Sequence, residues 1–201
     1  MVFGGLIYLA IRPSDTGSVK IETLESYCET NEGACVSQGS ETAPVTIVEV
    51  SDFGCSHCRD FNLETAPLIE QRYIESGEVQ LIVLPFALSS RTLPAANGGL
   101  CAADQGRYFE YHQAMFADFD APDHLDRTGI ERVAANTGLD MDQFSSCLSS
   151  SRYASRIQAN GNAASGVGVS ATPTFFINGQ KVEGALPWAT FQQRINTALG
   201  S

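Results

Sequence analysis

The sequence predicts an α/β fold in which a βαβ unit and a ββα unit flank a helical insertion. Three observations predict it. Two short, nearly continuous apolar runs, 45–50 (VTIVEV) and 79–85 (VQLIVLP), bracket a stretch of helical period. The strand signal then vanishes from about 89 to 167. It returns at 174–177 (TFFI), where Asn178-Gly179 is a strong hairpin turn ahead of a last helix.

Each element has its own justification. Residues 13–44 are polar and acidic and read as a linker with a short tethered element carrying Cys28 and Cys35. The run at 45–50 is β-branched and apolar, as a buried strand requires. A helix is expected over 59–73, with Phe61, Ala66, Leu68, Ile69 and Tyr73 on its buried face and Gly77 as the stop. Strand, helix and strand at this spacing make a βαβ unit, so the two strands should be parallel. In the insertion, 95–119 reads as one long helix and 129–136 as a short one. Asp140 with Gln143 forms a capping box that opens a helix through Cys147, and 152–164 forms another. Residues 180–183 return from the hairpin. Pro187 at the first helical turn and Gly200 past the end bracket a final helix over 188–199. The α/β body is thus expected to occupy 45–201, with no internal repeat.

Composition excludes several function classes. The 201 residues are 43% apolar and 17% charged, which is globular. The chain carries 12 basic and 23 acidic residues, a net charge of −11, and only two lysines, Lys20 and Lys181. That balance argues against nucleic acid and anionic membrane surfaces as partners. Residues 2–11 (VFGGLIYLAI) form an apolar run. As a helix it would span about 15 Å, half a bilayer core. It lacks the flanks and cleavage motif of a complete signal peptide. Three readings fit: the remnant of a membrane anchor over 1–12, an arm packed on the body, or a disordered segment. An apolar run before a polar linker favours the anchor.

The sharpest motif is Cys55-Ser56-His57-Cys58, a C-x-x-C between a strand and a helix. A strand-to-helix turn sets Cys55 at a helix N-terminus, where unpaired N–H groups and the dipole stabilise a thiolate. His57 can add to that. Cys55 would then attack or be attacked, and Cys58 would resolve the mixed disulfide. Zinc needs four ligands, no second C-x-x-C exists, and His112 and His124 lie in the insertion. Covalent haem needs His after the second cysteine, where this chain has Arg59. No metal or organic cofactor is expected. A second signal is Pro173 just before a buried strand, at a place suited to a tight turn.

From residue 45 onward the chain resembles the DsbA family of the thioredoxin superfamily. The resemblance rests on VTIVEV, the Cys55–Cys58 dithiol, the insertion between the βαβ and ββα halves, and Thr172-Pro173 before TFFINGQ. It implies a thioredoxin-like fold, an exposed nucleophile at Cys55 and a more buried Cys58. It also implies a cis-proline at Pro173 that helps Thr172 bind the substrate backbone. Glu49 lies six residues before Cys55, where superfamily members often carry a buried acid that relays protons to the resolving cysteine. Asp52 is a weaker rival for that role. Two positions depart from the family pattern. The spacer is Ser-His where the best-known oxidases have Pro-His, and Thr172 replaces a common valine, as in many reductases and isomerases. His57 points toward an oxidant, because extra thiolate stabilisation favours the reduced dithiol. DsbA itself is the reference case of that logic, with a thiol pKa of about 3.5 and a potential of about −120 mV.

Setting the dithiol aside, the other four cysteines allow three pairings. Cys28–Cys35 with Cys101–Cys147 is expected, since Cys101 and Cys147 fall on helices able to pack antiparallel. An alternative makes Cys28–Cys35 a second redox pair that relays electrons to Cys55. The expected function is an extracytoplasmic, tethered thiol:disulfide oxidase that donates its disulfide to reduced substrate proteins. The resemblance implies a membrane partner that reoxidises it. The chain is expected to act as a monomer. The alternatives are a reductase or isomerase using the same dithiol, and a peptide-binding or chaperone module with a static bridge.

Overall fold

A computed structural model describes residues 23–200. The anchor remnant expected over 1–12 lies outside the described residues. The element order begins with α1 (Leu24–Thr30), β1 (Val36–Gln38) and β2 (Val45–Ser51). Next come α2 (Ser56–Asp60), a π-helical turn (Phe61–Thr65), α3 (Ala66–Ile69), a second π-helical turn (Glu70–Ile74) and β3 (Val79–Pro85). The insertion holds α4 (Leu93–Ala103), α5 (Tyr108–Ala117), α6 (Arg127–Asn136), α7 (Met141–Ser149) and α8 (Ala154–Gly166). The last elements are β4 (Thr174–Ile177), β5 (Gln180–Glu183) and α9 (Trp188–Leu199).

The five strands form one sheet in the order β1-β3-β2-β4-β5. β2 and β3 are parallel, as the βαβ reading requires, and the other neighbours are antiparallel. β2 is therefore the central strand, with both faces covered. Its alternation sends Val45 and Ile47 into a core with Phe61, Ile69, Phe175 and Phe191. Val48 and Val50 point the other way, into a core with Leu24, Tyr27, Leu84, Ala163 and Phe176. A third core lies within the insertion, around Phe53, Tyr111, Phe116, Ile130 and Phe144.

Five sequence expectations need correction. The segment read as a linker is, from Thr23 onward, part of the body. Thr23 caps α1, whose Leu24 and Tyr27 are buried, and β1 pairs with β3. Its polar composition hid this because only a few side chains face inward. The expected helix over 59–73 starts at Ser56 and contains two π-helical turns. These wider turns shift the buried face, so Asn62 and Thr65 are buried while Leu68 is only half-buried. The expected long helix over 95–119 is two helices, broken where Gly106 takes a φ of +69°. Finally, Pro187 stands at the N-cap of α9 rather than inside its first turn. The Asp140 cap is present, but Gln143 reaches the Asp140 carboxylate at 2.9 Å rather than its backbone.

Cys28 is bonded to Cys35, and Cys101 to Cys147. The first bridge ties α1 to the start of β1. The second ties α4 to α7 inside the insertion core. Asn160 on α8 ties the two halves together. It is fully buried, accepts from the Tyr27 hydroxyl at 2.9 Å, and donates to the carbonyls of Ala34 and Pro85, each at 2.9 Å. No helix among the described residues is long and apolar enough to cross a membrane.

Candidate active site

The site begins at the turn between β2 and α2. Asp52 is buried, and its carboxylate accepts from the Gly54 N–H, the Leu88 N–H and the Thr92 hydroxyl, each at 2.7 Å. Its carbonyl accepts from the Cys55 N–H at 3.0 Å. Asp52 thus holds the turn together. Gly54 is required by close approach, because a Cβ there would lie 2.7 Å from the Thr92 methyl. His124, from the insertion, bonds the Phe53 carbonyl through Nε2 at 2.9 Å.

This turn places Cys55 at the N-cap of α2 in extended conformation, with its side chain half-buried. Cys58, one turn on, is 0% exposed, and both thiols are free. The Cys55 thiol lies 3.3 Å from the Thr172 carbonyl. The Thr172–Pro173 peptide is cis, and Pro173 is buried beside it. The structure therefore brings Cys55, Cys58, Thr172 and Pro173 together across 117 residues of sequence separation.

The two sulfurs have opposite electrostatics. A hydrogen bond from Cys58, helped by the backbone N–H groups of Cys58 and His57, lowers the Cys55 pKa to about 5 against the opposing effect of burial. Burial, together with the Cys55 sulfur, pushes the Cys58 thiol well above the usual thiol range. His57 contributes through its backbone. Its ring is 73% exposed and lies 4.0 Å from Asp60. Arg59 pairs with Asp60 at 2.8 Å and stacks over Phe119.

Glu49 is 0% exposed, beneath the helix that starts at the dithiol. Burial raises its pKa to about 7, opposed by hydrogen bonding from Asn62 and, more weakly, from Ser51. Asn62 was not anticipated from sequence. Its amide donates to Glu49 Oε1 at 2.8 Å and to the Cys58 carbonyl at 2.9 Å. The available signal was its position four residues after Cys58, on the same helical face. Cys28–Cys35 packs against the separate core of Val48 and Val50, whereas Cys101–Cys147 lies in the insertion core, which also takes in Cys58. Among the described residues no cluster of His, Cys, Asp or Glu is placed to hold a metal ion.

A thioredoxin fold with a half-exposed thiol, a buried thiol and a cis-proline defines a class: proteins built around a redox dithiol. Comparison with known proteins agrees. The family model described as Thioredoxin matches residues 30–197. The chain belongs to the thioredoxin family, and its architecture is that of the DsbA-like members. It superimposes on the crystal structure of Wolbachia pipientis alpha-DsbA1 with a TM-score of 0.74 and 28% identity, covering 82% of this chain and 90% of that one. Disulfide bond formation protein D of Bacillus subtilis is 22% identical over 167 residues, covering 80% of this chain and 75% of that protein. Na(+)/H(+) antiporter NhaA 3 of Salinispora tropica is 32% identical over 172 residues, covering 82% of this chain. The chain spans only 24% of that antiporter's length.

Proposed function

We propose that this chain is an extracytoplasmic thiol:disulfide oxidoreductase that works as an oxidase, donating the Cys55–Cys58 disulfide to reduced substrate proteins. The observation that carries the reading is the asymmetry of the dithiol. A Cys55 thiol with a pKa of about 5 beside a buried Cys58 stabilises the reduced pair, which makes the disulfide oxidising. Cys55 forms the mixed disulfide, Cys58 is the leaving and resolving thiol, and Glu49 exchanges the Cys58 proton. His57 tunes Cys55 through its position at the helix start. Thr172 and Pro173 receive the substrate backbone.

A cavity of about 530 Å³ beside the dithiol, lined by His57, Asp60, Phe61, Glu64, Leu186 and Trp188, offers room for an extended peptide. The two remaining disulfides favour an oxidising compartment. The names of relatives, which include a disulfide bond formation protein and a DsbA, support the same reading. A membrane partner would reoxidise the dithiol after each cycle.

The test is the equilibrium of the Cys55–Cys58 couple in glutathione buffers, read by alkylation and mass shift. A potential near about −120 mV is expected of the oxidase. A value near about −270 mV would instead make the chain a reductase or isomerase, the reading Thr172 favours. A couple that never responds would leave a peptide-binding module with a static bridge.

A further inference from the structure

Glu49 sits in β2 between Val83 of β3 and Phe175 of β4, both apolar. The titratable groups facing it are Cys58 on α2 and Tyr108 on α5. His112 stacks on Tyr108 at 5.3 Å. Burial holds that imidazole down to about 3, so it is neutral and supplies no cation. The carboxyl's one close geometric hydrogen bond comes from Asn62, with the Ser51 hydroxyl, two residues on along β2, adding a smaller stabilisation of the carboxylate. Asn62 Nδ2 reaches Oε1 at 2.8 Å and the Cys58 carbonyl at 2.9 Å. A carbonyl can only accept, so the second bond fixes the amide orientation and keeps nitrogen facing the carboxyl. Oε1 is thus an acceptor in both protonation states. Oε2 is buried and has no hydrogen-bond partner among the described residues.

We propose that Asn62 is a positioning residue for proton exchange, holding Glu49 by Oε1 so that Oε2 carries the proton passed to and from Cys58. The inference rests on the oxidoreductase reading and deepens it. In the oxidising direction a substrate thiolate attacks Cys55 Sγ. The Cys55–Cys58 bond breaks and the substrate–Cys55 bond forms. Cys58 leaves as a buried thiolate and takes the proton from Glu49 Oε2, while Asn62 stabilises the carboxylate left behind. A second substrate thiolate then attacks the substrate sulfur, releasing oxidised substrate and the Cys55 thiolate. Two electrons pass from substrate to dithiol. Glu49 recovers its proton from water. Asn62 also lines a cavity of about 360 Å³ with Gln38, Glu70 and Gln113, which brings solvent within one side chain of the carboxyl.

The test is the pH titration of the Glu49 carboxyl carbon by NMR in the reduced protein, with the resonance assigned by its loss in Glu49→Gln. The wild-type midpoint is expected at about 7. In Asn62→Leu it should rise by about one pH unit, a tenfold change in the acid dissociation constant, because a charge-assisted bond to the carboxylate is gone. Asn62→Asp, close in shape, replaces the donor with a like charge and should also raise it, whether or not Asn62→Leu folds. An unmoved midpoint in both variants overturns the proposal. Exchange kinetics separate the two levels of inference. The pH profile of Cys55 exchange should shift in Asn62→Leu but not when that change is added to Glu49→Gln. Wild-type exchange with an Asn62→Leu profile that does not shift refutes the positioning role alone. No wild-type exchange at any pH refutes the oxidoreductase reading, while the carboxyl titration still decides the role of Asn62 at Glu49.

Discussion

The reactivity of Cys55 should be almost independent of pH above about 6, and this follows from the site geometry. The perturbation is a pH series from 4 to 9 on the reduced protein, alkylated with iodoacetamide. Only one thiol should react, because Cys58 is 0% exposed and held protonated. With the Cys55 pKa at about 5, half of it is thiolate at pH 5. An ordinary thiol of pKa about 8.5 is only about 0.03% ionised there, so the thiolate fractions differ by roughly 1,600-fold. A thiolate about 3.5 pH units less basic is intrinsically slower by roughly 40-fold, from a Brønsted slope near about 0.45. The net expectation is that Cys55 reacts about 40-fold faster than free cysteine at pH 5 and at a similar rate at pH 7. The assay is the initial rate of a single mass addition at each pH. A rate that climbs tenfold per pH unit through pH 8 would refute the stabilised thiolate and with it the oxidising character of the pair.

Other expectations can be checked directly. Cys58→Ala removes the largest stabilising contact on the Cys55 thiolate, so the alkylation midpoint should rise, whereas His57→Ala should move it less because the ring points to solvent. The folded Cys55 pKa is depressed, so it adds stability to the reduced fold that is complete above about pH 8.5 and is lost as pH falls through about 5. The melting temperature of the reduced protein relative to the oxidised one should therefore rise from pH 5 to pH 8, measured in Glu49→Gln so that the buried carboxyl does not titrate. Replacing Cys101 and Cys147 by Ala opens a loop of separation 46 and should cost about 4 kcal/mol in urea unfolding, with exchange at Cys55 retained. Asn160→Ala leaves the Ala34 and Pro85 carbonyls and the Tyr27 hydroxyl without this partner and should cost about 3 kcal/mol by the same measurement.

The legibility of this molecule varies with the range of the interaction involved. The strands at 45–51, 79–85 and 174–177 and the Asn178-Gly179 turn were readable because burial of a central strand and left-handed turn geometry act through neighbours in sequence. The dithiol was readable for the same reason: the spacing of Cys55 and Cys58 and the strand-to-helix switch are local. The joining of α1 and β1 to the body was not readable. Their polar composition resembles a linker, and what holds them is a disulfide, an edge pairing with β3 and contacts to Asn160 on α8.

By itself the sequence determined the α/β order and the place of the candidate dithiol, which are properties of periodicity and local spacing, while the carboxyl at Glu49 stood out through the family resemblance. Only the tertiary structure decided the chemistry of each group. Burial by distant elements separates two chemically identical thiols into a half-exposed Cys55 and a buried Cys58, and brings Thr172 against Cys55. It also raises Glu49 to about 7 and sets Asn62, which the π-helical turn rotates inward, in hydrogen-bond contact with its carboxyl. A pKa depends on the dielectric and donors that the whole fold assembles around a group, and no stretch of sequence contains that environment.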